Sequence, residues 1–216
     1  METIDQYLKQ TESAVKRIYD SYYSYYELMK EPERPVFFYC GDTNTEEYRK
    51  ERDKWEEENK DIIGERTKRD NEFAFETFAR STLCGAILQF GYTAIKLFSN
   101  NTTVPHEFKN VIKENTSAAK FCIGRVIEDI PSGLIVFAGR NQAMHYEDKK
   151  FNEPTPTVFY RLCNYYSERF QKWYKNSYFD LDGSNHGHFA ENILNKLEWM
   201  NYSLYEQEIR KMLDAI

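Results

Sequence analysis

The sequence predicts an all-α protein, an up-and-down helical bundle carrying a charged helical insertion or extension. Glycine and proline are sparse, 9 and 6 in 216 residues, which disfavours a turn-rich β fold. Apolar residues recur at helical spacing over several long stretches. No internal repeat or low-complexity linker divides the chain, so residues 1–216 read as one domain.

The elements follow in order. Residues 3–31 form a first helix, with Thr3 as its N-cap and Ile4, Leu8, Val15, Ile18, Tyr22 and Met29 on its apolar side. The tract Tyr22-Tyr23-Ser24-Tyr25-Tyr26 is read as helix-packing surface before a base-stacking platform. Pro32 to Thr45 is a connection, in which Val36 to Cys40 packs extended against the bundle. Residues 45–70 mix Glu with Lys and Arg at helical neighbours, which supports an exposed helix laced by ion pairs. Tyr48, Trp55 and Ile62 give it only a thin apolar stripe, so it is a lid, an arm or a projecting helix. Residues 70–99 form the main core helix, with Gly85 and Gly91 marking close helix approach. Residues 105–121 form a further helix opened by Pro105, and 122–131 are a short helix or turn. Ser132 caps the helix Leu134–Tyr146. Residues 147–156 form a loop, Thr157–Tyr174 a helix, Asp180–His188 a turn, and Phe189–Trp199 and Leu204–Ile216 two closing helices.

Net charge is −6. Broad, non-specific coating of nucleic acid, which needs a basic footprint, is therefore not expected, although a local basic cleft is compatible with that charge. The four cysteines, Cys40, Cys84, Cys122 and Cys163, have no metal-ligand or redox spacing. The N-terminus has no basic or apolar leader and no apolar run approaches a membrane span, so a reduced cytoplasmic protein is expected, with no membrane partner. His186, His188, Asp180 and Asp182 gather potential metal ligands, but turns collect such residues, and no metal or other cofactor is expected.

The chemistry concentrates in Arg140-Asn141-Gln142-Ala143-Met144-His145. Arginine is a permanent cation that can neutralise a phosphate oxygen bidentately. Histidine takes and returns a proton near neutral pH. On a helix Asn141 and His145, four apart, share a face, whereas Arg140 and His145 diverge. One copy thus closes poorly around a scissile phosphate, and two copies across a twofold axis close better.

Arg, a polar residue, three free positions and His resembles the motif of the HEPN superfamily (higher eukaryotes and prokaryotes nucleotide-binding). These are small all-α proteins, many of them endoribonucleases of toxin–antitoxin, abortive-infection and CRISPR systems. The resemblance covers the motif and general architecture. It implies a homodimer in which Arg140 binds phosphate, His145 is general base or acid and Asn141 positions. It also implies a metal-independent endoribonuclease acting on an RNA substrate in prokaryotic defence or stress, with an antitoxin or regulatory protein as a further partner. Tyr146, Lys149 and Lys150 adjoin the motif and are candidate substrate contacts. In some relatives a tyrosine two places after the histidine is modified by a partner enzyme; Glu147 occupies that place here. The alternatives are a non-catalytic HEPN-like module that binds nucleotide or RNA or scaffolds a complex, and a helical interaction protein using the tyrosine-rich first helix and the charged segment.

Overall fold

The computed structural model describes residues 3–28, 36–148, 150–167, 169, 171–182 and 189–214, apart from the side chains of Tyr26, Glu27, Leu28, Arg66, Thr67, Arg69–Phe75 and Ser167. It is a helical bundle, 64 % helix against 6 % strand. The helices are α1 (Ile4–Leu28), α2 (Glu46–Glu58), α3 (Lys60–Phe98), α4 (Ser132–Met144), α5 (Thr155–Cys163), α6 (Phe189–Leu197) and α7 (Tyr202–Asp214). Two short antiparallel hairpins accompany them, β1 (Val126–Ile127) with β2 (Ile130–Pro131) and β3 (Asn164–Ser167) with β4 (Lys172–Lys175).

The first helix starts where its cap chemistry dictates. The Gln6 amide donates to Thr3 Oγ1 at 3.3 Å, and the Thr3 amide donates to Gln6 Oε1 at 2.9 Å, a reciprocal capping box. Leu8, Val15, Tyr19 and Tyr22 form its buried side. The tyrosines there bury their rings and tether their hydroxyls to other elements. Tyr7 donates to the Phe90 carbonyl at 2.9 Å, Tyr19 to the Trp199 carbonyl at 3.0 Å and Tyr22 to Glu191 at 2.8 Å. The side chain of Tyr26 and the whole of Met29 lie outside the described residues. Because Tyr7 meets Phe90 and Tyr22 meets Arg80, α1 runs antiparallel to α3.

The charged segment and the core helix divide at a different place from the one their composition suggests. The break falls at Asn59, and α3 then runs unbroken for 39 residues, about 58 Å at 1.5 Å per residue. Thr45 caps α2 by accepting from the Tyr48 amide at 3.2 Å. No residue of α2 is buried, and the first buried residue described along α3 is Arg80. Phe37 packs its ring against Tyr39, Tyr48 and Trp55, a small aromatic cluster joining the 36–40 segment to α2.

Past Arg80, α3 is surrounded. A Cβ at Gly85 would lie 3.1 Å from the Ala143 Cβ, and one at Gly91 would lie 2.8 Å from the Trp199 ring. Both glycines thus mark the close approaches their positions suggested. Gly139 on α4 comes equally close to Ile193 on α6, where an added Cβ would lie 2.8 Å from Cγ2. Arg80 forms a mostly buried ion pair with Glu191, with Tyr22 bonded to the same carboxylate.

One expected helix is not formed and another is cut short. Between Pro105 and Phe121 the chain makes only 3-10 turns, at His106–Phe108 and Ala119–Phe121. Buried Phe108 and Ile112 sit four apart and mimic a helical face. Side chains instead take over the backbone groups: Ser99 donates to the Lys120 carbonyl at 2.7 Å and Asn101 to the Ala119 carbonyl at 2.6 Å. Asn115 adopts φ 60°, a left-handed conformation asparagine tolerates. The helix expected over Thr157–Tyr174 ends at Cys163, and Tyr165, Tyr166, Trp173 and Tyr174 enter strands. Adjacent aromatic residues favour a pleated surface, and Gln171 with φ 47° serves the turn. No described helix is long and apolar enough to cross a membrane.

Replacing Glu191 with Ala removes the carboxylate that Arg80 and Tyr22 share and should cost roughly 3 kcal/mol, read as a lower urea midpoint. The thiols give a second check. Cys40 is exposed, Cys84 and Cys163 are buried, and burial pushes the Cys122 thiol up to about 11. Since thiolate is the reactive form, Ellman's reagent at pH 8 should find one fast thiol in the native protein, lost in Cys40→Ser.

Candidate functional site

The motif lies at the end of α4. Leu134, Ile135, Val136 and Ala138 are fully buried and anchor that helix. Ser132 is its first residue; the position before it, Pro131, is the cap, and the Ser132 hydroxyl donates to Glu208 at 3.3 Å. The expected capping role of Ser132 is therefore replaced by a tether to α7. The helix stops at Met144, short of the expected Tyr146, because His145 leaves helical geometry with φ −129° and ψ 32°.

Arg140 is half-buried and held on three sides. Its Nε donates to Gln89 Oε1 at 2.7 Å, its Nη1 donates to Asn141 Oδ1 at 3.1 Å, and its guanidinium lies 4.8 Å from the centroid of the Tyr92 ring. Among the described residues Nη2 takes no hydrogen bond, so one edge of the fork remains for an anion. Tyr92 is itself fixed, stacked on Phe121 at 4.7 Å between centroids and packed against Phe137 at 5.9 Å. Such a guanidinium has few conformations left, which lowers the entropy cost of gripping a phosphate.

Asn141 turns the other way. Its amide nitrogen donates to Thr155 Oγ1 at 3.4 Å, linking α4 to the start of α5, while its oxygen faces Arg140. Its backbone carbonyl accepts from the His145 amide at 3.1 Å, the i to i+4 relation of a helix. The histidine lies at the exposed cap, with its side chain 54 % accessible and Nδ1 3.2 Å from Asp148 Oδ2. A carboxylate beside Nδ1 orients the imidazole and leaves Nε2 without a hydrogen-bond partner among the described residues.

Tyr146 is half-exposed, packs edge-on against Phe78 at 5.6 Å and donates its hydroxyl to Glu147 Oε1 at 3.0 Å. That hydrogen bond raises the phenol pKa. Lys150 is exposed; Lys149 lies outside the described residues, as do His186 and His188. Among the described residues no group of three or more His, Cys, Asp or Glu could hold a metal ion.

Two cations that no sequence pattern marks join Arg140. The Lys96 ammonium lies 6.0 Å from the Tyr92 centroid, and Lys120 donates to the Lys96 carbonyl at 3.1 Å. Arg140 and Lys96 thus both approach the Tyr92 ring, and Lys120 bonds to the backbone of Lys96, in a protein of net charge −6. Gln89 was the available signal, a polar residue inside the apolar run Ile87-Leu88-Gln89-Phe90. Lys96 and Lys120 left no such mark, because a surface lysine is unremarkable until the fold shows its neighbours.

Neither Arg140 nor His145 is sealed in the interior. They project from successive turns of one helix end, the arginine toward α3 and the histidine beyond the last turn. A cavity of about 10 Å³ lies elsewhere, between α1, α3 and α6 beside Tyr22, Cys84 and Glu191, with room for one water at most.

No protein-family model matches the chain, and no curated protein or solved structure matches it significantly.

Gln89→Ala removes the Nε acceptor of Arg140. It should lower stability by about 1 kcal/mol in urea unfolding, with the helical circular dichroism unchanged.

Proposed function

We propose that the protein is a HEPN-like, metal-independent endoribonuclease that works as a homodimer. The observation that carries this reading is Arg140, immobilised on Tyr92 by Gln89 and Asn141 with an edge of its fork outward, one turn from a histidine oriented by Asp148. A pre-set cation and an accessible imidazole are the groups that transesterification of RNA requires. One imidazole removes the ribose 2′-hydroxyl proton, and that oxygen attacks the adjacent phosphorus. The P–O5′ bond breaks, and the departing 5′-oxygen takes a proton from a second imidazole. Guanidinium groups of both protomers neutralise the charge that builds on the phosphorane. The products are a 2′,3′-cyclic phosphate and a 5′-hydroxyl end. DNA, without the attacking hydroxyl, is not cut.

Lys96 and Lys120 extend the positive surface from Arg140 along α3 and suit the RNA backbone on its way to the motif. Lys150 serves the same purpose on the opposite flank. The biological setting is prokaryotic defence or stress response in the cytoplasm, with an antitoxin or regulatory protein restraining the nuclease. The second reading is a non-catalytic RNA-binding module, favoured by the same cation cluster if the imidazole is idle.

The test is a mixed RNA pool incubated with the protein in EDTA. Cleavage should fall by about 100-fold or more in His145→Ala and in Arg140→Ala, with both variants folded and dimeric by sedimentation. A 2′-deoxy substitution at the cut site should abolish the reaction. Full activity in either variant, or a monomeric active species, overturns the proposal. RNA binding without cleavage supports the second reading.

A further inference from the structure

The β3–β4 hairpin presents an aromatic face to solvent. In its register Tyr166 pairs with Trp173, and Asn164 with Lys175. Strand alternation places these four residues on one face. The two rings lie 5.6 Å apart and tilted by 60°. Tyr166 is 47 % exposed and Trp173 66 % exposed, both far above what a packed hairpin face shows. On the other face Tyr165 stacks on Tyr174 at 5.7 Å, and Lys172 lies 5.6 Å from the Tyr174 ring centroid. The inner tyrosine pair is half-buried and stiffens the hairpin, while the outer pair remains open.

Charge decides what this face suits. Residues 160–176 carry Arg161, Arg169, Lys172 and Lys175 against the single acid Glu168, although the chain as a whole is acidic. Lys175, on the ring-bearing face, is paired with Asp180, and Lys172, next to Trp173 in the chain, stands on the opposite face. Lysine is depleted from protein–protein interfaces. Exposed rings flanked by lysines are the arrangement that binds single strands, where bases stack on aromatics and ammonium groups follow the phosphates.

We propose that the β3–β4 hairpin is a single-strand nucleic-acid platform on which bases stack against Trp173 and Tyr166. It deepens the proposed function by stating that the RNA arrives unpaired, and it rests on that reading only for the identity of the strand as RNA. Stacking does not use the 2′-hydroxyl, so the platform also takes single-stranded DNA, which the motif does not cut.

The experiment uses the full chain with His145→Ala, to prevent cleavage, and follows tryptophan fluorescence. Trp199 is buried and Trp55 half-buried, so Trp173 is the residue open to quenching by a stacked base. Twelve-residue oligouridylate and oligodeoxythymidylate should both quench in a saturable, salt-sensitive manner, and a twelve-pair RNA duplex should not. Binding read by anisotropy of labelled oligouridylate should weaken about tenfold in Trp173→Ala and in Tyr166→Ala, and Trp173→Phe should restore most of it. Equal binding of duplex and single strand, or unchanged affinity in both alanine variants, overturns the platform. So does an effect of Trp173→Ala confined to sedimentation behaviour, which makes this face a contact between protein chains. Cleavage assays separate the two ideas: single-strand binding that depends on Trp173, without any cleavage by the unmodified protein, retains the platform and sinks the nuclease.

Discussion

The close seating of α4 between α3 and α6 is the constraint on which the rest depends. Two glycines make it possible. At Gly85 the α3 backbone meets Ala143, and at Gly139 the α4 backbone meets Ile193, each with no room for an added side chain without displacement. A helix held this tightly cannot slide or rotate, so the residues on its outward edge have defined positions. Arg140 inherits its place on Tyr92 and Gln89 from that contact.

The unusual abundance of tyrosine follows from the same packing. Several helices present rings to the interior while sending a hydroxyl to a carbonyl or carboxylate on another element. Tyr7, Tyr19 and Tyr202 each reach a backbone carbonyl, and Tyr22 reaches Glu191. Each such bond couples ring burial to a directional contact, so helix register is specified along with helix association. The Arg80–Glu191 pair adds charge to that network and ties α3 to α6. Apolar residues alone would permit several rotations of α1 against α3; hydroxyl tethers select one.

Electrostatics is divided in space. The acidic excess does not extend to the Tyr92 ring, which Arg140 and Lys96 both approach, or to the β3–β4 hairpin, where Arg169, Lys172 and Lys175 outnumber Glu168. An acidic body with local basic patches repels polyanions over most of its surface and attracts them only at those patches.

Much of this was legible in the chain itself. Periodic apolar residues located α1, the core half of α3, the motif helix and the two closing helices, because a buried helical stripe must repeat with the helical turn. Thr3 signalled a helix start, and Gly85 and Gly91 close contacts, through backbone chemistry that acts locally; the cap at Thr45 emerged only with the structure. The sequence also singled out Arg140, Asn141 and His145 as chemically apt. Only the tertiary structure decided that residues 105–121 form turns and 164–175 a hairpin, since side chain–backbone bonds and cross-strand pairs join residues that periodicity treats separately. It likewise decided that Gln89 and Tyr92 hold the arginine, that Asp148 meets the histidine, and that Lys96 and Lys120 stand nearby. Local chemistry fixes which groups a chain possesses and where its helices begin; the distances between groups far apart in sequence arise only when those helices pack.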